Sequence, residues 1–393
     1  MSQSVPSVQI PSVQIPSVHS SLLSAEPLNT QQLITDLQSR GLNLGAAEVG
    51  AAEVGAVGRK GGAGPSDHKA VTIGQTTVMV PVYTDSAAQS PYHVDVDRST
   101  GQSYLAKNNQ VIGPLDFPHQ PKFYGLQTAE GIPYSKIALL HSNNVLATTV
   151  LQSCIRYENR KTACQFCAIG QSLESGRTIA KKTPAQLAEV AEAAVRLDQV
   201  EHMIMTTGTP NTADRGAAYL TDCARAIKAK VSLPIQAQCE PPNDFRWFDR
   251  MRLAGVDSLG MHLEAADPVV RASIMPGKAK VPLSYYFEAF SAAVKVFGRG
   301  QVSTYLLAGL GDSKETLLSV SERLIRLGVY PFVVPFVPIV GTPLAQTPPP
   351  DSGLMFEIYQ QIGQMLKESN LLSSEMKAGC AKCGACSALS IFE

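Results

Sequence analysis

The chain has 393 residues, room for two or three domains of ordinary size. Its 33 basic and 33 acidic residues leave no net charge, which excludes a sequence-blind nucleic-acid binder, because that class needs a basic excess to displace counterions. Apolar residues make up 44% and charged ones 17%, so a sizeable core can be buried and wholesale disorder is excluded.

The first residues, MSQSVPSVQI, lack the basic start and continuous apolar run of a secretory signal. The longest apolar stretch, 330–340, is interrupted by Pro331, Pro335 and Pro338, and a bilayer span takes about 20 residues. A cytoplasmic chain without a membrane partner is expected. In a reducing cytosol, its eight cysteines mean metal or redox chemistry rather than disulfides. PSVQI is duplicated from Pro6 and Pro11, and GAAEV from Gly45 and Gly50. Both repeats are too short to be a structural unit, and residues 1–65 read as a flexible low-complexity segment. Inside it, Asn29 and Thr30 open a short helix through Arg40 that stops at Gly41. Ordered structure is expected after the glycine-rich stretch 58–64.

Residues 66–140 read as a small β-rich module. Val78, Val80 and Val82 alternate with Met79 and Pro81, and Tyr92, Val94 and Val96 alternate with His93, Asp95 and Asp97 before the turn Arg98–Gly101. His93, Asp95 and Asp97 form either the polar face of a half-solvated strand or a metal site. After Asn143 strands and helices alternate. Six strands are predicted, at 145–152, 202–207, 233–239, 256–263, 302–309 and 330–337. The clearest helix starts at Pro184, with Thr183 as N-cap and Gln186 completing a capping box. Six βα units over 141–345 predict an α/β fold with a parallel sheet, wound open or curled into a partial TIM-like barrel. The chemistry of such barrels collects at the C-terminal strand ends. Residues 346–393 complete the chain as a helix and a cysteine-rich tail.

Six cysteines fall in two clusters: Cys154, Cys164 and Cys167 after the first barrel strand, and Cys380, Cys383 and Cys386 in the tail. Structural zinc wants four ligands, and a mixed site of Cys164, Cys167, Cys380 and Cys383 would supply them. Three thiolates per cluster instead suit a [4Fe–4S] cube with one iron left open. Cys239, beside Glu240, reads as a buried core thiol or as a further ligand of the tail cluster, and Cys223 as packing. His141, His202 and His262 are candidate proton carriers or satisfied core histidines.

Here the sequence resembles the radical S-adenosylmethionine superfamily, with a biotin synthase-like barrel. Cys164-Gln165-Phe166-Cys167 matches that family's Cys-x-aromatic-Cys, and the resemblance makes Phe166 the neighbour of the adenine. The family usually leaves three residues between the first two cysteines, whereas nine separate Cys154 from Cys164. The longer loop costs only about 1 kcal/mol more to close. Thr206-Thr207-Gly208-Thr209 stands in place of the family's Gly-Gly-Glu loop, with the glycine kept and the acid missing, so Thr207, Gly208 and Thr209 would meet the methionyl amine. Gly260–Glu264 resembles the ribose-binding strand end, which makes Glu264 an acceptor for the sugar hydroxyls and Arg271 a partner for the methionyl carboxylate. Gly309-Leu310-Gly311-Asp312 is similar to the turn that lets the backbone approach the adenine, through Gly309 and Gly311. Residues 338–344 are similar to the close of the barrel.

The resemblance implies an enzyme that binds a [4Fe–4S] cluster through Cys154, Cys164 and Cys167. It would cleave S-adenosylmethionine reductively to a 5′-deoxyadenosyl radical and take hydrogen from a small-molecule substrate. A probable second iron–sulfur cluster is expected on Cys380, Cys383 and Cys386, covering the barrel mouth, and an electron donor such as flavodoxin or ferredoxin is the expected partner. The segments 154–173 and 260–278 and the cysteine-rich end resemble a radical SAM family encoded beside nitrilases in bacterial gene clusters, which implies nitrile or small-nitrogen metabolism. The reading from a different class is a non-catalytic zinc or iron–sulfur interaction protein.

Overall fold

A computed structural model describes residues 29–45 and 67–393. The PSVQI duplication, nearly all of the GAAEV duplication and the stretch 58–64 lie outside the described residues. β1 (His68–Ile73) and β2 (Thr76–Pro81) form an antiparallel hairpin. β3 (Tyr92–Val96), β4 (Ser103–Lys107) and β5 (Gln110–Pro114) form a three-stranded antiparallel meander. The main sheet follows, from β6 (Leu139–His141) through β7 (Val145–Thr149), β8 (His202–Thr206), β9 (Ile235–Gln238), β10 (Ser258–Gly260) and β11 (Val302–Ala308) to β12 (Val329–Pro335). Its strands lie in sequence order. β7 to β12 are parallel, β6 runs antiparallel to β7 at the edge, and the sheet curls into a partial TIM-like barrel.

The six parallel strands are the six predicted ones with their ends trimmed, except that β12 begins one residue early, at Val329. β6 carries too short an alternation to be seen in the sequence. Helix Pro184–Asp198 starts on the capping box: Thr183 Oγ1 accepts from Gln186 N at 3.2 Å while Gln186 Oε1 accepts from Thr183 N at 2.9 Å.

Helix Thr30–Arg40 has the predicted bounds, with the Asn29 side chain accepting from Gln31 N and Gly41 ending it at φ 78°. Order therefore begins well before residue 58. Leu33, Ile34 and Leu37 are buried in the same core as the barrel, and the helix also reaches the tail through hydrogen bonds from Gln31 Nε2 to Ile391 O and from Gln38 Nε2 to Ala385 O. β2 is covered on both sides. Val78 and Val80 join the main core, while Met79 turns to Ala385, whose carbonyl accepts from its N–H at 2.7 Å. On β3 the polar face is only that. His93 Nε2 lies 3.5 Å from Asp95 Oδ1, and Asp97 caps the turn through Ser99.

The tail does not cover the barrel mouth. Just before β11, Gln301 donates to Glu375 O and accepts from Lys377 N, both at 3.0 Å. At the start of β8, His202 Nδ1 accepts from Gly379 N, and in β9 Gln236 Oε1 accepts from Cys380 N. Ser387 Oγ donates to Val333 O of β12. The chain end thus enters from the N-terminal side of the strands and runs inside the half-barrel, between its two edges. Gly379 is obligatory on this route: its φ is +114°, and a Cβ there would stand 2.2 Å from the buried Gln236 amide.

Candidate active site

Cys154 follows β7 as the N-cap of a single helical turn, Ile155–Glu158, and its Sγ accepts from Arg156 N at 3.4 Å and Thr209 N at 3.3 Å. That turn absorbs the long first spacing. The loop folds back so that Cys164 N donates to Arg156 O and Cys167 N to Cys164 O. Helix Pro268–Ile274 and the turn after it pin the loop from outside, through Gln165 N to Ile274 O, Gln165 Nε2 to Ser273 O and Gly277 N to Thr162 O. Cys154 lies close enough for a thiolate there to raise both Cys164 and Cys167. Burial raises the Cys164 thiol and pushes Cys167 up to about 12, so each keeps its proton until a metal displaces it. Three such thiols at the strand ends, one with two backbone N–H donors on its sulfur, fit a cluster that takes one thiolate per iron.

The loop after β8 lies directly on the loop after β7. A Cβ at Gly208 would meet Ser153 O at 2.0 Å. Thr207 Oγ1 donates to Gly208 O, while Thr209 Oγ1 donates to Glu240 Oε1 at 2.9 Å. Glu240 is 7% exposed. It also takes a bidentate pair from Arg156 (3.0 and 3.1 Å) and a third arginine bond from Arg215 at 3.1 Å. Burial would raise its carboxyl, but the Arg156 hydrogen bonds, the Lys278 charge and the Thr209 hydroxyl hold it below the ordinary range. Glu240, from the next strand end, thus sets a carboxylate against the Thr206–Thr209 loop.

Glu264 adopts φ +66°, a strained conformation for a non-glycine residue. Its carboxylate meets Lys278 Nζ at 2.6 Å, and this charge outweighs the burial that would otherwise lower the lysine. Arg271 has a different task from the one expected. It is 2% exposed, its guanidinium donates to the carbonyls of Leu263 (2.9 Å), Ala265 (3.0 Å) and Val281, and it stacks over Tyr286. It therefore holds the Glu264 loop from behind. Gly309 (φ +102°) lies against Pro350 and Gly311 (φ +127°) against Val270. The Asp312 carboxylate ties down Ala266 N and Asp267 N.

Between these loops and the tail lies a cavity of about 300 Å³. Phe166 and Glu264 line its mouth end. Ile204, Leu307, Val334 and Phe336 line its wall, and Cys380 and Cys386 its floor. Cys380 Sγ accepts from Gln238 Nε2 at 3.1 Å and from the Tyr305 hydroxyl, and Cys386 Sγ lies 3.5 Å from His141 Nε2. Burial pushes the Cys383 thiol up to about 12. Cys239 is not among these residues. Strand alternation turns Gln236 and Gln238 inward and Cys239 the other way, into the main core. His262 faces the cavity, with Nδ1 accepting Tyr305 N at 3.2 Å. Burial holds its pKa near about 3, so the ring stays neutral with its proton on Nε2. His202, lowered by burial to about 4, is likewise neutral. Among the described residues, no three His, Cys, Asp or Glu side chains gather closely enough to share one metal ion, so the mixed four-thiolate zinc site is not assembled.

Sequence reasoning missed Arg156, Arg215, Lys278, Gln238 and Tyr305. Arg156 and Lys278 lie inside the segments 154–173 and 260–278 that carry the resemblance, but a charged or polar residue carries no mark in the sequence of the partner it will meet.

Residues 159–324 match the Radical SAM superfamily; the match takes in Cys164 and Cys167 and begins after Cys154. The bacteriochlorophyllide c C-7(1)-hydroxylase of Chlorobaculum limnaeum is 28% identical over 226 residues, 53% of this chain and 56% of that protein. Among solved structures, methylornithine synthase superposes with a TM-score of 0.44 at 15% identity, covering 63% of this chain and 72% of the other. The FeFe-hydrogenase maturase HydG from Carboxydothermus hydrogenoformans gives 0.42 at 15% identity, covering 57% and 51%. The chain spans little more than half the length of the hydroxylase and of the maturase. No helix among the described residues is long and apolar enough to cross a membrane.

Proposed function

From the Radical SAM match over residues 159–324 we propose that the chain is a radical SAM enzyme and that it acts on a small molecule held in the cavity between the Cys154–Cys167 loop and the tail. In this reading Cys154, Cys164 and Cys167 hold the [4Fe–4S] cluster. Phe166 and the Gly309–Gly311 turn flank the adenine, and Glu264, held by Lys278, accepts from the ribose. Thr207, Gly208 and Thr209 meet the methionyl group, with Glu240 as the acid that their loop lacks. Arg271 is spent on carbonyls, and the cations near Cys154, Arg156 and Arg215, are paired with Glu240. When bound, the cluster and S-adenosylmethionine supply a 5′-deoxyadenosyl radical that takes hydrogen from the substrate.

The chain's own residues bind, orient and shield. The apolar wall of Ile204, Leu307, Val334 and Phe336 keeps water away from the reacting carbon. His262 offers a fixed N–H donor, and Glu264 an acceptor. The cavity is at the small end for ligand sites, which favours a compact substrate with a few hydrogen-bonding groups over a macrocycle of the kind named for the Chlorobaculum hydroxylase. A substrate from nitrile or small-nitrogen metabolism, a flavodoxin or ferredoxin as reductant, and a second iron–sulfur cluster on Cys380, Cys383 and Cys386 complete the proposal.

The observation that supports it most is the company of the three upper thiols: they share the strand ends with Phe166 and Glu264 at the mouth of a largely apolar cavity. Protein reconstituted anaerobically with iron and sulfide, reduced and given S-adenosylmethionine should release 5′-deoxyadenosine, and Cys167→Ala should not. Absence of 5′-deoxyadenosine from fully loaded, reduced protein would refute the reading.

A further inference from the structure

The tail thiols have a fourth companion. His141 closes β6, the edge strand that the sequence does not announce, and is 5% exposed. It lines the cavity with Cys380 and Cys386, and its Nε2 lies 3.5 Å from Cys386 Sγ. Two ligand atoms on one tetrahedral metal, with bonds of about 2.3 Å to sulfur and 2.0–2.1 Å to nitrogen, stand about 3.5 Å apart. Ligands on different irons of a cube stand much farther apart. Cys380 and Cys383 sit on one helical turn, Cys380–Cys383, with side chains on the same face. All three tail thiols bear electrostatically on the partly buried Tyr305 hydroxyl.

Building on the tail cluster of the proposed function, we infer that His141 is its fourth protein ligand and that the site is built for a [2Fe–2S] rhomb. Cys386 and His141 would hold one iron, and Cys380 and Cys383 the other. Cys239, the ligand the sequence offered, faces away. Hydrogen bonds to Cys380 Sγ from Gln238 and Tyr305 are the outer contacts that steady such sulfurs and tune their cluster. A site with four protein ligands has no vacant corner. It carries electrons one at a time, and the substrate is held by the cavity walls rather than by tail iron.

The test uses the full chain with Cys154, Cys164 and Cys167 all changed to alanine, which leaves the tail as the candidate iron site. After anaerobic reconstitution it should hold about two irons, and the reduced cluster should show the strong nitrogen coupling of a ligated imidazole in pulsed EPR. In the same background His141→Cys should keep the iron and lose that coupling. If the triple variant does not fold, Mössbauer spectra of the intact chain should resolve a two-iron component beside the four-iron one. Iron bound without nitrogen coupling, or about four irons in the tail, would overturn the assignment of His141 while leaving a tail cluster in place. No tail iron at all would remove the tail cluster itself.

Discussion

Replacing Glu240 by glutamine tests whether this carboxylate holds the mouth of the barrel together. Four hydrogen bonds converge on it, from Arg156 (two), Arg215 and Thr209, and its side chain is 5% exposed. Breaking a fully buried pair costs about 3–5 kcal/mol because a charge is left unpaired. The arginine side chains here keep 14% and 19% exposure, so part of that loss returns as hydration, and about 2–4 kcal/mol is expected. With an unfolding entropy of about 2 cal/mol/K per residue, a chain of 393 residues gives about 0.8 kcal/mol/K, so apo Glu240→Gln should melt about 2.5–5 °C below the parent. Differential scanning calorimetry at pH 7 measures this directly. The carboxyl is held below its ordinary range, so its contribution is complete above the unfolded value of about 4.3 and is lost as pH falls through the folded value. The gap between parent and variant should therefore narrow in acid. A shift under about 1 °C at pH 7, or a gap that widens in acid, would refute the reasoning.

Arg271→Met leaves the Leu263 and Ala265 carbonyls without their donor. It should destabilise the apo protein by about 2–4 kcal/mol, a loss that an arginine serving only the cofactor would not produce. Gly379→Ala should reduce tail iron while sparing the iron held by the upper cysteines, because the new methyl stands against the Gln236 amide and the backbone is left-handed there; unchanged tail iron by metal analysis would contradict the threaded path. The His262 ring should show no titration above pH 5 in nitrogen NMR. Since its folded pKa lies near about 3, the stability gained by keeping it neutral is complete above about pH 6.5 and is lost as pH falls toward the folded value.

Much of the architecture is legible in local patterning. Asn29 and Gly41 bracket a helix, Thr183, Pro184 and Gln186 start another, and six apolar runs mark the six parallel strands, because caps and periodicity act over a few residues and need no tertiary partner. The cysteine spacings likewise point to metal chemistry without a fold. β6 could not be read, since three residues carry no period, and so His141 was read only as a proton carrier or a satisfied core histidine.

The amino-acid order by itself determined which chemical groups the chain owns and in which βα unit each sits. Only the tertiary structure decided which of them meet. Glu240 lies 31 residues beyond Thr209 yet accepts its hydroxyl, Arg271 turns to carbonyls instead of the mouth, and a tail that looks like a lid runs inside the barrel to bring Cys386 to His141, 245 residues away. The reason is physical. Local signals are set by backbone geometry within a turn or two, whereas the partner of a buried charge or thiol is chosen by how whole strands and loops pack around it.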